Sequence, residues 1–233
     1  ARRPFDLAKG PLVRVKLILL AADPRTGQDR CICFLNSHHI ITDGWSSAVL
    51  LRDLGRIYAG LGGAPAELPP LRIQYKDFAA WHNAYLDSPA GQTDRAFWRE
   101  TLSGEIPRLD LPADVPGAPD GDLKVDRVPV RIAAGLTSRL REIGRRHEAT
   151  LFMVLEAGLD LLLHVRTSQS EVILGTPVAG RVHPELEDQV GCYLNTLPLR
   201  TEIRTDDTVA SLLRRVARLT LDAFSHELYP IDR

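Results

Sequence analysis

Two adjacent histidines close an apolar run in the segment Ser37-His38-His39-Ile40-Ile41-Thr42-Asp43-Gly44-Trp45-Ser46. A neutral imidazole near physiological pH can take a proton from an attacking amine or hydroxyl. Asp43 and Gly44 follow at fixed spacing, just before a helix-like segment. The carboxylate can fix local geometry, and the glycine lets substrate come close to the backbone.

Neighbouring elements must hold these residues in place. Residues 12–20 (LVRVKLILL) read as a strand, 23–29 (DPRTGQD) as a turn-rich connector and 30–36 (RCICFLN) as the returning strand. The pair is expected to be an antiparallel hairpin, with His38 and His39 just past its second strand. Ser46 or Ser47 is the expected cap of the next helix. Leu50, Leu54, Ile57 and Tyr58 recur at helical spacing and are expected to form its buried stripe.

Residues 60–71 (GLGGAPAELPPL) break that helix. Helical patterns resume over 75–86 and 94–102, with Trp81, Phe97 and Trp98 read as core. Residues 105–121 are rich in Pro, Asp and Gly and are the best linker candidate. Alternation over 125–132 suggests another strand. Residues 134–147 read as a basic amphipathic helix whose Arg139, Arg141, Arg145 and Arg146 form a solvated face. Thr150 is expected to cap a more apolar helix lying deep in a core. Residues 171–178 read as a buried strand, 179–191 as a loop and 192–201 as a strand. A closing helix over 207–226 is expected to be capped by Asp206 or Asp207. Strands and helices mix without a clean βαβ rhythm, so the class is α/β or α+β, split near residues 105–123.

The composition bounds the rest. With 233 residues, 44% hydrophobic and 25% charged, the chain can bury a sizeable core as one or two lobes. A net charge of -1 gives no electrostatic case for nucleic acid or an anionic membrane. No apolar run reaches the roughly 18 residues of a membrane-spanning helix, and the first residues lack a signal-peptide core. Cys31, Cys33 and Cys192 show no metal spacing. Cys31 and Cys33 share one strand face and read as buried free thiols in a reducing, cytoplasmic setting. With no zinc spacing, P-loop or GxGxxG, no metal or nucleotide is implied. The start without methionine and the abrupt end read as cuts inside a larger protein.

The run HHxxxDG at His38–Gly44 closely resembles the active-site motif of condensation domains in nonribosomal peptide synthetases. Further matches follow in that family's order. Pro4-Phe5-Asp6-Leu7 with Gly10-Pro11-Leu12 resembles the segment before the histidine motif. Tyr75-Lys76-Asp77-Phe78-Ala79-Ala80-Trp81 is similar to the YxDFAxW helix. Gly175-Thr176-Pro177 with Gly180-Arg181 resembles the strand and loop before the fifth core motif, and Val190–Arg200 resembles that motif itself, which ends in NTLPLR. His226-Glu227-Leu228-Tyr229-Pro230 is similar to the sixth. The first two core motifs and the seventh are absent, so the chain is expected to be the middle half of a domain. The arginine that usually holds the motif's aspartate is accordingly sought in the absent upstream part.

The resemblance implies a chloramphenicol acetyltransferase-like fold, partial here. Residues 1–105 would belong to an N-terminal lobe, 106–123 to a linker and 124–233 to a C-terminal lobe. A tunnel between the lobes would admit one carrier-bound thioester from each face. The implied reaction is attack of an acceptor aminoacyl amine on a donor acyl or peptidyl thioester. His39 would act as base or orient the amine, and His38 would hydrogen-bond backbone to hold the loop. Asp43 would orient the loop, and the Gly44 N–H would donate to the developing oxyanion. Trp45, Ser46, Asn195 and Thr196 would line the tunnel. The domain itself would bind no cofactor; phosphopantetheine would arrive on partner carrier domains. Donor and acceptor carriers and the adenylation domain of the same module are the implied partners, without nucleic acid or membrane. His82, His147, His164, His183 and His226 read as surface or packing residues. Competing readings are an epimerisation domain, a stand-alone acyltransferase using coenzyme A thioesters, a non-catalytic docking platform and an inactive remnant.

Overall fold

In the computed structural model, residues 3–63, 67–111 and 126–233 are described. By density of contacts the chain divides into two units. The first holds residues 1–84 and 179–194, the second 85–178 and 195–233.

The first unit opens with strands β1 (Val13–Leu20) and β2 (Arg30–Ser37), paired antiparallel from Val13 opposite Ser37 to Leu20 opposite Arg30. The hairpin delivers His38 and His39 to a short 3-10 turn, His39–Ile41. Helix α1 (Gly44–Gly60) follows, then α2 (Tyr75–Asp87). Asp43 caps α1, accepting from the Ser46 N–H, where Ser46 or Ser47 was the expected cap. The helix starts at Gly44, so the side chain that reaches the free N–H groups of the first turn stands one residue before it.

Three burial expectations fail in this unit. Cys31 and Cys33 are exposed, because neither face of the two-stranded sheet is covered well enough to bury them. The inward face of α1 buries Ser46 and Val49, whereas Leu54, Ile57 and Tyr58 are exposed. The unit's apolar core is instead Phe78 of α2 with Leu186, Tyr193 and Ile73. Trp81, expected in the core, is about half exposed at 47%.

The second unit contains α3 (Pro89–Thr101), α4 (Ala134–Arg146), α5 (Leu151–Thr167), β3 (Glu171–Val178), β4 (Asn195–Glu202) and α6 (Val209–Ser225). Helix α3 begins earlier than its apolar pattern suggests, because Ser88 caps it and Pro89 opens its first turn. β3 and β4 pair antiparallel, Glu171 opposite Glu202 and Val178 opposite Asn195. One face of α5 packs Met153, Val154, Ala157 and Leu163 against Val172, Ile203 and the α6 residues Leu212, Leu213 and Val216. Trp98 packs with Leu197, Leu199 and Ala223 in a second cluster, and Phe97 lies at its edge.

Thr150 caps α5, as expected, but the helix is deep on one face only, with Phe152, Leu155, Leu159 and Leu162 exposed. Thr208 caps α6 in place of Asp206 or Asp207; Asp207 instead receives two hydrogen bonds from Arg215. Residues 126–132 are irregular rather than a strand, with Val128 and Val130 exposed. Alternation alone does not make a strand where no partner edge offers hydrogen bonds. Val125, and residues 112–123 of the expected linker, lie outside the described residues. Mixed helices and antiparallel strands make the class α/β in the broad, α+β sense. Among the described residues no helix is long and apolar enough to cross a membrane.

The buried polar pair on α5 carries a testable consequence. Asp160 is fully enclosed, and neither of its oxygens makes a well-formed hydrogen bond. Burial pushes its carboxyl up to about 6, which the neighbouring Thr201 hydroxyl only partly offsets. Burial likewise raises Glu156 to about 7; the Thr220 hydroxyl opposes this and nearby Asp160 adds to it. The Thr220 hydroxyl lies 2.8 Å from the Val216 carbonyl and 3.0 Å from Glu156. Both folded-state values lie above those of the unfolded chain. The pair therefore stabilises the fold at low pH, and this contribution fades as pH rises through about 6 to 7. Melting curves at pH 5 and pH 8 are expected to differ by roughly 5 °C or more. The variant Glu156→Gln/Asp160→Asn is expected to lose that difference.

Candidate active site

The site is built by two stretches of the first unit, residues 37–46 and the loop 179–194. His38 holds the turn: its N–H donates to the Leu12 carbonyl at 2.9 Å, and its Nδ1 accepts from the Ile40 N–H at 3.1 Å. The edge of its ring meets Phe5 at a centroid distance of 6.0 Å. With the neighbouring backbone fixed, the His39 side chain projects outward and is exposed. Its Nδ1 lies 3.9 Å from the Cys192 sulfur, and among the described residues no carboxylate reaches its ring.

Asp43 sits beneath this turn at 5% exposure and is saturated with donors. Its Oδ1 accepts from the Ser46 N–H at 2.7 Å and from Arg181 Nη2 at 3.2 Å. Its Oδ2 accepts from Arg181 Nη1 at 2.8 Å and from the Tyr193 N–H at 3.2 Å. Burial alone would raise this carboxyl, but Arg181, then Ser46 and Tyr193, outweigh it and hold it down at about 2. Asp43 is therefore ionised at any physiological pH and faces Arg181 rather than His39.

The partner of Asp43 thus lies within the chain, not upstream of it. Arg181 is equally enclosed, both side chains being 2% exposed. It donates further to Ser46 Oγ at 3.1 Å and to the carbonyls of Leu186 at 3.1 Å and Gln189 at 3.3 Å. Its guanidinium also covers the Tyr193 ring at 4.4 Å. In the sequence Gly180-Arg181 stands only as part of a loop motif; Arg181 and Asp43 are 138 residues apart, and no local period links them. The available signal was a lone arginine in an otherwise apolar and acidic loop.

The remaining contacts staple the loop to the motif. Ser46 Oγ donates to the Gly191 carbonyl at 2.8 Å and accepts from the Gly191 N–H at 3.0 Å. Trp45 Nε1 donates to the Glu187 carbonyl at 2.8 Å while its ring stays exposed. Tyr75 donates its hydroxyl to the Cys192 carbonyl at 2.9 Å. Gly44, at the first position of α1, is exposed.

Two glycines make this approach possible. Gly180 has φ +61°, and a Cβ there would stand 2.0 Å from the Tyr193 carbonyl oxygen. At Gly191 a Cβ would stand 2.3 Å from the Tyr75 ring. Gly191→Ala is therefore expected to displace Tyr75 and cost about 2 kcal/mol, read as a lowered denaturant midpoint at unchanged m-value.

Asn195 and Thr196 open β4 in the second unit. The Asn195 amide donates to the carbonyls of Glu227 and Tyr229, both at 2.8 Å, and accepts from the Thr196 N–H at 2.8 Å and the Ile231 N–H at 3.3 Å. Thr196 lines a cavity of about 400 Å³ with Trp98 and Tyr229. Of the other histidines, His226 pairs with Asp94 at 2.7 Å and stacks on Phe97, and His183 caps a 3-10 turn. Among the described residues no group of three His, Cys, Asp or Glu could hold a metal ion.

The site is thus an exposed histidine after a hairpin, set over a buried aspartate–arginine pair. The model of the condensation domain family matches residues 1–233, and the chain belongs to that family. It is 39% identical over 230 residues to malpinin synthetase of Mortierella alpina, covering 98% of this chain and 3% of the relative. Against surfactin synthase subunit 1 of Bacillus subtilis (strain 168) it is also 39% identical over 230 residues, covering 99% and 6%. Among solved structures, the X-domain from teicoplanin biosynthesis superposes with a TM-score of 0.86 at 26% identity, covering 99% of this chain and 51% of that one. The first condensation domain of the calcium-dependent antibiotic synthetase gives a TM-score of 0.73 at 23% identity, covering 98% and 49%, and shows the shared fold. The chain spans about half the length of these solved chains and a few per cent of the curated relatives.

Proposed function

We propose that the domain containing this chain forms amide bonds between a donor acyl or peptidyl thioester and an acceptor aminoacyl thioester in nonribosomal peptide synthesis. The observation that carries this reading is His39: exposed, with no carboxylate at its ring among the described residues, on a turn fixed by His38 and by the Asp43–Arg181 pair. The acceptor amine attacks the thioester carbonyl carbon, the C–N bond forms and the C–S bond breaks. His39 takes the amine proton, which passes to the departing sulfur. Both acyl groups would arrive on phosphopantetheine arms of carrier domains, with an adenylation domain in the same module. Holding both arms together makes the step effectively unimolecular. In this reading the exposed Trp45 ring faces the acyl groups, while Ser46, fully buried with its hydroxyl bonded to Gly191, holds the loop beside it. The synthetase works in the cytoplasm.

The likeness to the X-domain, solved also as a complex with OxyB at a TM-score of 0.85, supports a second reading as a docking platform. A carrier-to-carrier transfer assay read by mass spectrometry separates the two. Dipeptidyl carrier formed by the domain with its native flanks establishes the condensation reading. A folded, complete domain that transfers nothing across a broad set of donors and acceptors favours the platform.

A further inference from the structure

We infer that Cys192 is the positioning residue of His39, donating no acid–base chemistry itself but selecting which ring nitrogen carries the proton. The inference rests on the proposed role of His39 as the base. In a histidine that works as a base, one nitrogen accepts the proton while the other is held by a partner that fixes tautomer and ring orientation. A carboxylate commonly fills that place. Here Asp43 is turned away and consumed by Arg181, Ser46 and Tyr193. The group at hydrogen-bonding distance from His39 Nδ1 is the Cys192 sulfur, 3.9 Å away.

Cys192 is well placed for this. Its carbonyl is fixed by the Tyr75 hydroxyl, and its neighbours Gly191 and Tyr193 are pinned by Ser46 and Asp43. The half-buried sulfur thus hangs by one rotatable bond from a backbone held on both sides. The titratable and charged groups around it are His39, Asp43, Tyr75 and Arg181. Burial, then the Asp43 charge, push the thiol up, while the Leu194 N–H and Arg181 oppose this, so the sulfur faces His39 as a neutral thiol. A neutral sulfur is a weak acceptor. It can take the Nδ1–H without drawing the proton off the ring, which leaves the Nε2 lone pair free for the acceptor amine.

The test uses the domain with its native flanks, as wild type, Cys192→Ser and Cys192→Val. The ¹⁵N chemical shifts of the His39 ring at one fixed pH report the tautomer, and transfer kinetics report function. The valine variant is expected to shift His39 from the Nδ1–H towards the Nε2–H form. Its kcat is expected to fall about threefold to tenfold, the worth of one weak hydrogen bond, with KM unchanged. The serine variant is expected to keep the Nδ1–H form and most of kcat. Cys192→Ala stands in if the valine variant does not fold. An unchanged His39 tautomer in the valine or alanine variant overturns the inference, as does an equal rise in KM with kcat untouched. Absence of transfer in the wild type would overturn the condensation reading instead, and the ring shifts would still decide the role of Cys192.

Discussion

Replacing His39 with alanine is expected to lower amide formation by about a hundredfold or more in the complete domain, the range that one positioned acid–base group supplies. A residual rate is expected to remain, because bringing the two thioesters together does not depend on the imidazole. The fold is expected to be untouched. The side chain is exposed, and its hydrogen-bonding contact is the 3.9 Å approach to a sulfur. The melting temperature should therefore change by no more than about 1 °C. His38→Ala gives the opposite pattern. It removes the acceptor of the Ile40 N–H and the edge contact to Phe5, so it should lower stability by about 1 kcal/mol and reduce transfer only through the turn. Normal turnover by His39→Ala, measured by mass spectrometry of the carrier-bound product, would remove His39 from the mechanism.

The contrast between these neighbours marks what was legible in the sequence. Local signals are legible: the hairpin from alternating runs around a turn, the cap Thr150 from a side chain that satisfies free helix N–H groups, the order of motifs from spacing. The α1 cap differs although it too is local, because Asp43 stands three residues before Ser46 and four before Ser47, the expected caps. The failures of burial share one cause. Leu54, Ile57 and Tyr58 repeat at helical spacing, and Val128 and Val130 alternate like a strand, yet all are exposed. Periodicity says that a face is apolar; it does not supply the element that covers it. Cys31 and Cys33 failed in the same way on a two-stranded sheet. The lock on Asp43 was hidden for a different reason. Arg181 meets it across 138 residues, and no helical or strand period spans that range, so the lone arginine of its loop does not name its partner.

That same lock sets the second large effect. Arg181→Ala leaves the Asp43 carboxylate enclosed with the Ser46 and Tyr193 N–H groups and removes the guanidinium donors from the Leu186 and Gln189 carbonyls, of which Leu186 keeps the Gln189 N–H. Breaking one side of a buried pair costs about 3–5 kcal/mol, enough to unfold a marginal domain. Asp43→Ala leaves the guanidinium without its carboxylate and removes the α1 cap, with a similar expected loss. The double variant is expected to lose less than the sum, because neither charge is then stranded. The pair also fixes a pH dependence. The folded Asp43 value of about 2 lies below that of the unfolded chain, so the pair's contribution is fully present above about pH 4. It is lost as pH falls towards 2, by about 2 kcal/mol in all. Acid titration of stability is therefore expected to be shallower in Arg181→Ala than in the wild type. Equal acid slopes would mean that Arg181 does not hold the carboxylate. An Asp43→Ala domain that melts cooperatively at the wild-type temperature yet forms no amide would move Asp43 from the scaffold into the chemistry. The geometry opposes that outcome: both carboxylate oxygens are already taken, and neither by His39.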